Sequence, residues 1–323
     1  MILLWGIPGD GPLAAVRREL QRRGAAHLFV DQFAVLESDL TLAFGRSTSG
    51  TLRTPDGAVD LEEVAAAYVR PYDSERVLRA AERSDGPARA RAGRFDDALQ
   101  LWCEVTGALV VNRLSAMSSN RSKPWQSTLI AAAGFAVPET LLTTDPARAA
   151  AFRERWGEVI YKSLSGIRST VATLDDQRLA RIAGTACPVQ LQRRIAGTDV
   201  RVHVVGDEAF ACEILTAATD YRYPRAPAEE PRLAPCVLPE EVRLRCLELA
   251  RMLGLVAAGV DLRRGDDGRW VCFEVNPSPA FTYYQAATGQ PIAAVLADLL
   301  IAARGARPAA APKRSPRGGR VNA

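Results

Sequence analysis

Histidine is nearly absent from the 323 residues: only His27 and His203 occur. A histidine-rich zinc site and a Ser-His-Asp triad are therefore poor expectations. Lysine is almost as scarce, at three (Lys123, Lys162 and Lys313) of 41 basic residues. In a chain that otherwise uses arginine, a retained lysine marks a place for a compact ammonium. The six cysteines (103, 187, 212, 236, 246 and 272) form no C-x-x-C pair. They read as reduced thiols of a cytoplasmic protein, not as a disulfide framework. No apolar run reaches the roughly 18–20 residues of a membrane span. The apolar start Met1–Trp5 has no basic residue before it and breaks at Gly6 and Pro8, so it reads as a first strand and not as a signal peptide.

The formal net charge of +4 is unevenly placed. Residues 305–323 hold Arg307, Lys313, Arg314, Arg317 and Arg320 and no acid, leaving 36 basic against 37 acidic residues in the remainder. A balanced body gives no reason to expect nucleic acid binding. The Pro-, Gly-, Ala- and Arg-rich end reads as a disordered basic tail. The whole chain, at 48% hydrophobic and 24% charged residues, has a globular composition, and the part before the tail is long enough for about two domains.

Residues 1–30 read as strand, loop, helix and strand. The loop spaces Gly6, Gly9 and Gly11 in a pattern that is neither a dinucleotide fingerprint nor a P-loop, and it reads as an α/β connection. Residues 40–54 read as short strands, 60–71 as a helix running into a strand, and 74–106 as helical. The texture changes near residue 116. A helix ends at Gly134, another is capped by Asp145 and Pro146, and VIYK (159–162) is a strand before the Ser/Gly loop Ser163–Ser169. Antiparallel strands then lead to an amphipathic helix at 238–255 and a final ribbon.

That ribbon carries the chemistry. VDLRRGD and RWVCFEV flank Asp267-Gly268, a hairpin-turn signal. A two-residue loop there sets Asp261 opposite Glu274, with Asn276 on the same face opposite Gly259. Val260, Leu262, Val271, Phe273 and Val275 then form a core face. A three-residue loop changes this register. Opposed carboxylates repel unless a cation lies between them, and hard oxygens on a rigid ribbon suit Mg²⁺. A solvated face with tolerated repulsion is the plain alternative. Lys162, before a Ser/Gly loop, suits phosphate, although it is also an ordinary strand lysine. In DVRVHVV, Asp199, Arg201 and His203 share one strand face, either as a cleft floor or in solvent.

Taken in order, Lys123 in SNRSKPWQ, VPETLLTTDP, Lys162 in VIYKSLSG, QLQRRIAGTDVRVHVVGD, GVDLRR, and Glu274 and Asn276 in FEVNPSP resemble the ATP-grasp superfamily. More narrowly they resemble ligases of the ribosomal-protein-S6 glutamylating type and ATP-grasp ribosomal peptide maturases. The resemblance runs from about 112 to 300. It implies an α/β (α+β) ATP-grasp fold: an N-terminal α/β pre-ATP-grasp domain (1–115), a central subdomain with a flexible phosphate loop (116–190), a C-terminal subdomain with the metal site (191–304), and the tail (305–323). It implies that Lys123 and Lys162 meet ATP phosphates, with Ser163, Ser165 and Gly166 in the loop above them. Gln192, Arg193, Arg194 and Ile195 form the adenine hinge, with Asp199 beside it. Many relatives have an acid where Arg193 or Arg194 stands, so a ribose contact there is not implied. Asp261, Glu274 and Asn276 hold one or two Mg²⁺. Arg201 and Arg222 act on the transferred phosphate or the substrate.

The implied activity is ATP-dependent carboxylate–amine ligation through an acyl phosphate, on an amino acid or a peptide. Ring closure or residue addition on a ribosomal peptide is the variant reading; a kinase or a non-ligase ATP-binding module is the reading from another class. The expected partners are ATP and small-molecule or peptide carboxylate and amine substrates. Nucleic acid and membrane are not expected, and a homo-oligomer is compatible.

Overall fold

The computed structural model describes residues 1–45, 48–80, 85–162, 172–182, 188–216 and 230–305. Residues 306–323 of the basic tail, with Ser163, Ser165, Gly166 and Arg222, lie outside them.

The first sheet is built from β1 (Ile2–Gly6), β2 (His27–Asp31), β6 (Ala66–Val69) and β7 (Leu109–Val111). All are parallel, in the order β2-β1-β6-β7. A parallel strand buried on both faces must be apolar throughout, and β1 is. Its alternate residues serve two cores. Leu3 and Trp5 face α3 (Gly86–Val105), while Ile2 and Leu4 face α1 (Gly11–Arg22) and α10 (Ile292–Gly305). The C-terminal helix thus covers the N-terminal sheet. A three-stranded antiparallel sheet of β3 (Asp39–Phe44), β4 (Thr48–Thr54) and β5 (Gly57–Asp60) follows β2. The helix expected at 60–71 is a single 3₁₀ turn at Leu61–Glu63 leading into β6. Two apolar residues, Val64 and Ala65, are drawn into the sheet's burial and leave no room for another turn.

The helices α2 (Ser74–Ala80), α3 and α4 (Leu114–Met117) precede α5 (Lys123–Ala132). Four helices share one start signal, an acid or hydroxyl cap with proline in the first turn. These are α1 (Asp10, Pro12), α3 (Asp85, Pro87), α5 (Ser122, Pro124) and α6 (Pro146–Trp156; Asp145, Pro146). In each, the cap oxygen accepts a backbone N–H that would otherwise lack an intrahelical partner.

The second sheet is antiparallel, in the order β10-β9-β11-β8. Its strands are β8 (Thr140–Thr143), β9 (Val159–Lys162), β10 (Ala172–Thr173) and β11 (Val189–Arg193). One of its faces is packed by α6 and α7 (Asp176–Ile182). The third sheet is also antiparallel, ordered β14-β13-β12-β15-β16. It comprises β12 (Gly197–Val205), β13 (Glu208–Leu215), β14 (Arg232–Cys236), β15 (Ala257–Gly265) and β16 (Trp270–Asn276). Its core face rests on α5 and α8 (Glu240–Met252), through Val200, Val202, Val260, Leu262 and Val275 against Ile130, Val242 and Leu249. The opposite face is polar and carries the site. Tyr284, from α9 (Thr282–Thr288), packs on this face against Cys212 and Ile214. Among the described residues no single helix is long and apolar enough to cross a membrane.

Candidate active site

The β15–β16 ribbon sets Asp261 opposite Glu274 and Gly259 opposite Asn276, as the two-residue loop requires. It reaches that register by another route. The turn has three residues, Asp266-Asp267-Gly268, with Gly268 at φ +79° and Gly265 N–H donating to the Arg269 carbonyl at 2.8 Å. That shifts Leu262, Arg263 and Arg264 onto Cys272, Val271 and Trp270. A bulge beside Asp261 leaves Phe273 as the extra residue and restores the frame at Glu274. The core face is corrected accordingly. Fully buried Cys272 takes the place expected for Phe273, Val271 moves off the core face to lie opposite Arg263, and burial holds the Cys272 thiol well above the usual range. The displaced Phe273 ring lies 5.3 Å from the Arg263 guanidinium.

Because strand partners share a face, register orders the polar residues into rows. One row is Asp199 with Arg263, the next Arg201 with Asp261 and Glu274, and the third His203 with Gly259 and Asn276. Arg201 and His203 therefore lie in a packed floor, with Asp199 half-buried at its margin. Arg201 is 6% exposed, and its Nη1 donates to Asp261 Oδ1 at 2.5 Å. Its guanidinium runs directly over Gly259. A Cβ built there would stand 2.6 Å from Arg201 Cζ and 2.8 Å from Nε, so only glycine admits the arginine in this pose. Tyr284 backs both of these floor side chains, its ring 5.8 Å from the Arg201 guanidinium and 4.9 Å from the His203 ring. Burial, and then the charge of Arg201, push the His203 imidazole well below its ordinary pKa, so it is held neutral. The aromatic stretch 281–284 is a helix start packed on the sheet, except that Tyr283 is half exposed.

Lys123 occupies the first turn of α5, and its Nζ donates to Glu274 Oε2 at 2.9 Å. The same helix is latched to the ribbon by Gln126, which is 2% exposed. Its Nε2 donates to the Val275 carbonyl at 2.8 Å and its Oε1 accepts the Val275 N–H at 3.0 Å. Strand β16 is a sheet edge, so its outward backbone groups need such a partner. Each carboxylate of the ribbon thus already holds a cation, Asp261 through Arg201 and Glu274 through Lys123. Asn276 Oδ1 accepts the Ser278 N–H at 2.9 Å; since that N–H only donates, the amide oxygen is fixed there.

Two carboxylates and one carboxamide oxygen on a single ribbon face are a donor set of the kind Mg²⁺ takes alongside phosphate oxygens. No larger cluster of His, Cys, Asp and Glu suited to a metal occurs among the described residues.

Strands β9 and β11 of the second sheet carry further residues expected at the site. Lys162 pairs in register with Gln190. Gln192 is buried on β11, and its Nε2 donates to Thr140 Oγ1 at 3.2 Å. Arg193 and Arg194 point away into ion pairs, with Glu139 at 3.5 Å and Glu158 at 2.7 Å, and Arg193 also lies 5.2 Å from the Trp156 ring. The Ile195 carbonyl accepts from Arg263 Nη1 at 2.7 Å, and Arg263 is gripped by Asp199 in a fork of 2.7 and 2.8 Å. The Asp199 carboxylate is therefore tied through Arg263 to the backbone at Ile195. Sequence reasoning missed Arg263, Gly259 and Gln126. Arg263 alone left a signal there, its two-residue spacing from Asp261 on the ribbon.

Residues 120–300 match the RimK-like ATP-grasp domain. A probable alpha-L-glutamate ligase 2 of Pseudoalteromonas atlantica is 27% identical over 213 residues, covering 61% of this chain and 69% of that one. A probable alpha-L-glutamate ligase of Vibrio cholerae is 28% identical over 209 residues, covering 61% and 68%. Among solved structures, the ATP-grasp ligase PsnB, complexed with a phosphomimetic variant of a minimal precursor, Mg and ADP, superposes with a TM-score of 0.74 at 28% identity, covering 94% of this chain and 98% of that one. The macrocyclase MdnC of Microcystis aeruginosa, bound with precursor peptide MdnA, has a TM-score of 0.75 at 20% identity over 93% and 99%, a likeness of fold. With the family match spanning more than half of its length, the chain belongs to the RimK-like ATP-grasp family and is an ATP-grasp ligase.

Proposed function

We propose that the chain joins a carboxylate to an amine through an acyl phosphate, with a peptide as one substrate. The observation that carries the chemistry is the ribbon Asp261–Glu274–Asn276 flanked by Arg201 and Lys123. Mg²⁺, one ion or two, would be held by those three oxygens and would draw charge from the β- and γ-phosphates of ATP. A substrate carboxylate oxygen attacks the γ-phosphorus, the bond to the β,γ-bridging oxygen breaks, and ADP leaves. An amine nitrogen then adds to the acyl carbon, phosphate departs, and the nitrogen loses its proton.

Arg201 has its charge fixed by Asp261 and its pose by Gly259, and it meets the negative charge on the transferred phosphoryl group without reorganising. Lys123 shares its ammonium between Glu274 and the nucleotide. Lys162 and the segment with Ser163, Ser165 and Gly166 cover the phosphates and exclude water. The adenine lies against the backbone of Gln192–Ile195, steadied by Arg263 and Asp199. Arg222 contacts the substrate or the transferred phosphate. The reaction is cytoplasmic, where ATP is supplied and the thiols stay reduced.

A peptide substrate is favoured by the likeness to PsnB, which is 28% identical over 94% of this chain and was solved with its precursor. Ring closure between side chains of one peptide follows from the same chemistry. The test is hydroxylamine trapping with ATP and Mg²⁺ across amino acids and Asp/Glu-containing peptides. A hydroxamate formed on a peptide with matching ADP release is the expected result. A stable phosphate ester, or ADP release without hydroxamate for every acid, would remove the ligase chemistry.

A further inference from the structure

The segment that follows Asn276 is Pro277-Ser278-Pro279. Two of its three residues have no N–H, so Ser278 supplies the only donor, and that donor goes to Asn276 Oδ1 at 2.9 Å. The orientation of the amide oxygen therefore depends on where Ser278 is held. It is held from the N-terminal part of the chain. Arg70, just beyond β6, donates from Nη1 to Ser278 Oγ at 2.7 Å and to the Pro279 carbonyl at 3.3 Å. Its Nε donates to Asp10 Oδ1 at 2.7 Å, and both side chains are nearly excluded from solvent, at 10% and 4% exposure. Asp10 is in turn immobilised as the cap of α1 by the Leu13 N–H at 2.9 Å, with the Tyr72 hydroxyl donating at 3.4 Å. On the other side, Asn112 Nδ2 donates to the Pro277 carbonyl at 2.6 Å.

A buried ion pair is a costly way to hold two domains together, since packed apolar side chains serve as well. Its orienting power is what apolar side chains lack. We propose that Arg70, clamped by Asp10, is a positioning residue for the metal ligand Asn276, acting through Ser278. The N-terminal sheet, which lies outside the matched ATP-grasp region, thereby sets metal affinity. This rests on the reading of Asn276 as a ligand.

The experiment measures Mn²⁺ binding to the full chain in saturating ADP by electron paramagnetic resonance. It is accompanied by calorimetry of metal-free ADP and by urea unfolding. Ser278→Ala removes the Arg70 acceptor and keeps the backbone N–H; Arg70→Lys keeps the charge and loses the fork. Each is expected to weaken Mn²⁺ about tenfold while leaving metal-free ADP binding unchanged, and the double variant to be no weaker than the worse single one. Unchanged Mn²⁺ affinity in Ser278→Ala, alongside a loss in Asn276→Ala, overturns the relay and leaves the metal site standing. Unchanged affinity in Asn276→Ala overturns both. Where Arg70→Lys unfolds early in urea, Ser278→Ala alone decides.

Discussion

The guanidinium of Arg201 crosses directly over the Cα of Gly259, two residues before its ion-pair partner Asp261. The absence of a side chain at 259 is thus part of how the arginine is aimed. Alanine is at least as compatible with a strand as glycine, so Gly259→Ala should fold, yet its methyl group must displace Arg201. The expected result is a loss of roughly 10²-fold in kcat/KM, close to that of Arg201→Ala, with the circular dichroism spectrum of the folded protein retained. Near-normal turnover in Gly259→Ala would show that Arg201 acts from another pose.

Gln126 exchanges two hydrogen bonds with the backbone of Val275, between the proposed ligands Glu274 and Asn276. Gln126→Leu keeps the volume and strands a buried N–H and C=O on the sheet edge. A destabilisation of about 2–4 kcal/mol in urea unfolding is expected. Since Lys123 rides on the same helix, nucleotide affinity should fall with it. A variant as stable as the wild type would mean that water or a shifted strand satisfies β16.

Arg263 connects the Asp199 carboxylate to the Ile195 carbonyl of the hinge. If the proposed hinge binds adenine, Arg263→Ala should raise the KM for ATP about tenfold and leave kcat nearly intact, since the hinge would not touch the transferred phosphate. A fall in kcat at unchanged KM would place Arg263 with the reacting groups instead.

Away from the site, Asp96 is buried and accepts the Ser74 N–H and hydroxyl, each at 2.9 Å. Burial outweighs these bonds and pushes its carboxyl up to about 6. Between an unfolded value of about 4 and that figure, the native state keeps a proton that the unfolded chain has released. This group's contribution is therefore complete below pH 4 and is lost as pH rises to 6, by at most about 3 kcal/mol. Asp96→Asn should flatten that part of the pH dependence of unfolding relative to the wild type. Parallel curves for the two proteins would contradict the assignment.

Much of this was legible in the chain because short-range rules govern it. Alternation on β12 and β16, the apolar β1 and the cap-plus-proline starts each depend on a few neighbouring residues. The ribbon is instructive. The Asp266–Gly268 turn and the Phe273 bulge each displace the register by one, and the two cancel at Asp261 and Glu274. The polar face was therefore legible, while the core face, with Cys272 in place of Phe273, was not. Gln126 and Arg70 were not legible for a different reason. Their partners lie 149 and 208 residues away, and a polar residue carries no local sign of a distant backbone that needs it. The side chains of Arg193 and Arg194 pair with Glu139 and Glu158, which stand just before β8 and β9, another pairing with no local sign in the chain.

The most direct measurement is the Mg²⁺ dependence of ADP binding, by calorimetry, for wild type, Asp261→Asn and Glu274→Gln. Wild-type affinity should rise at least tenfold when Mg²⁺ is added, and both variants should lose that gain with circular dichroism unchanged. A gain that persists undiminished in both variants would contradict the metal ribbon, and with it the ligase chemistry built upon it.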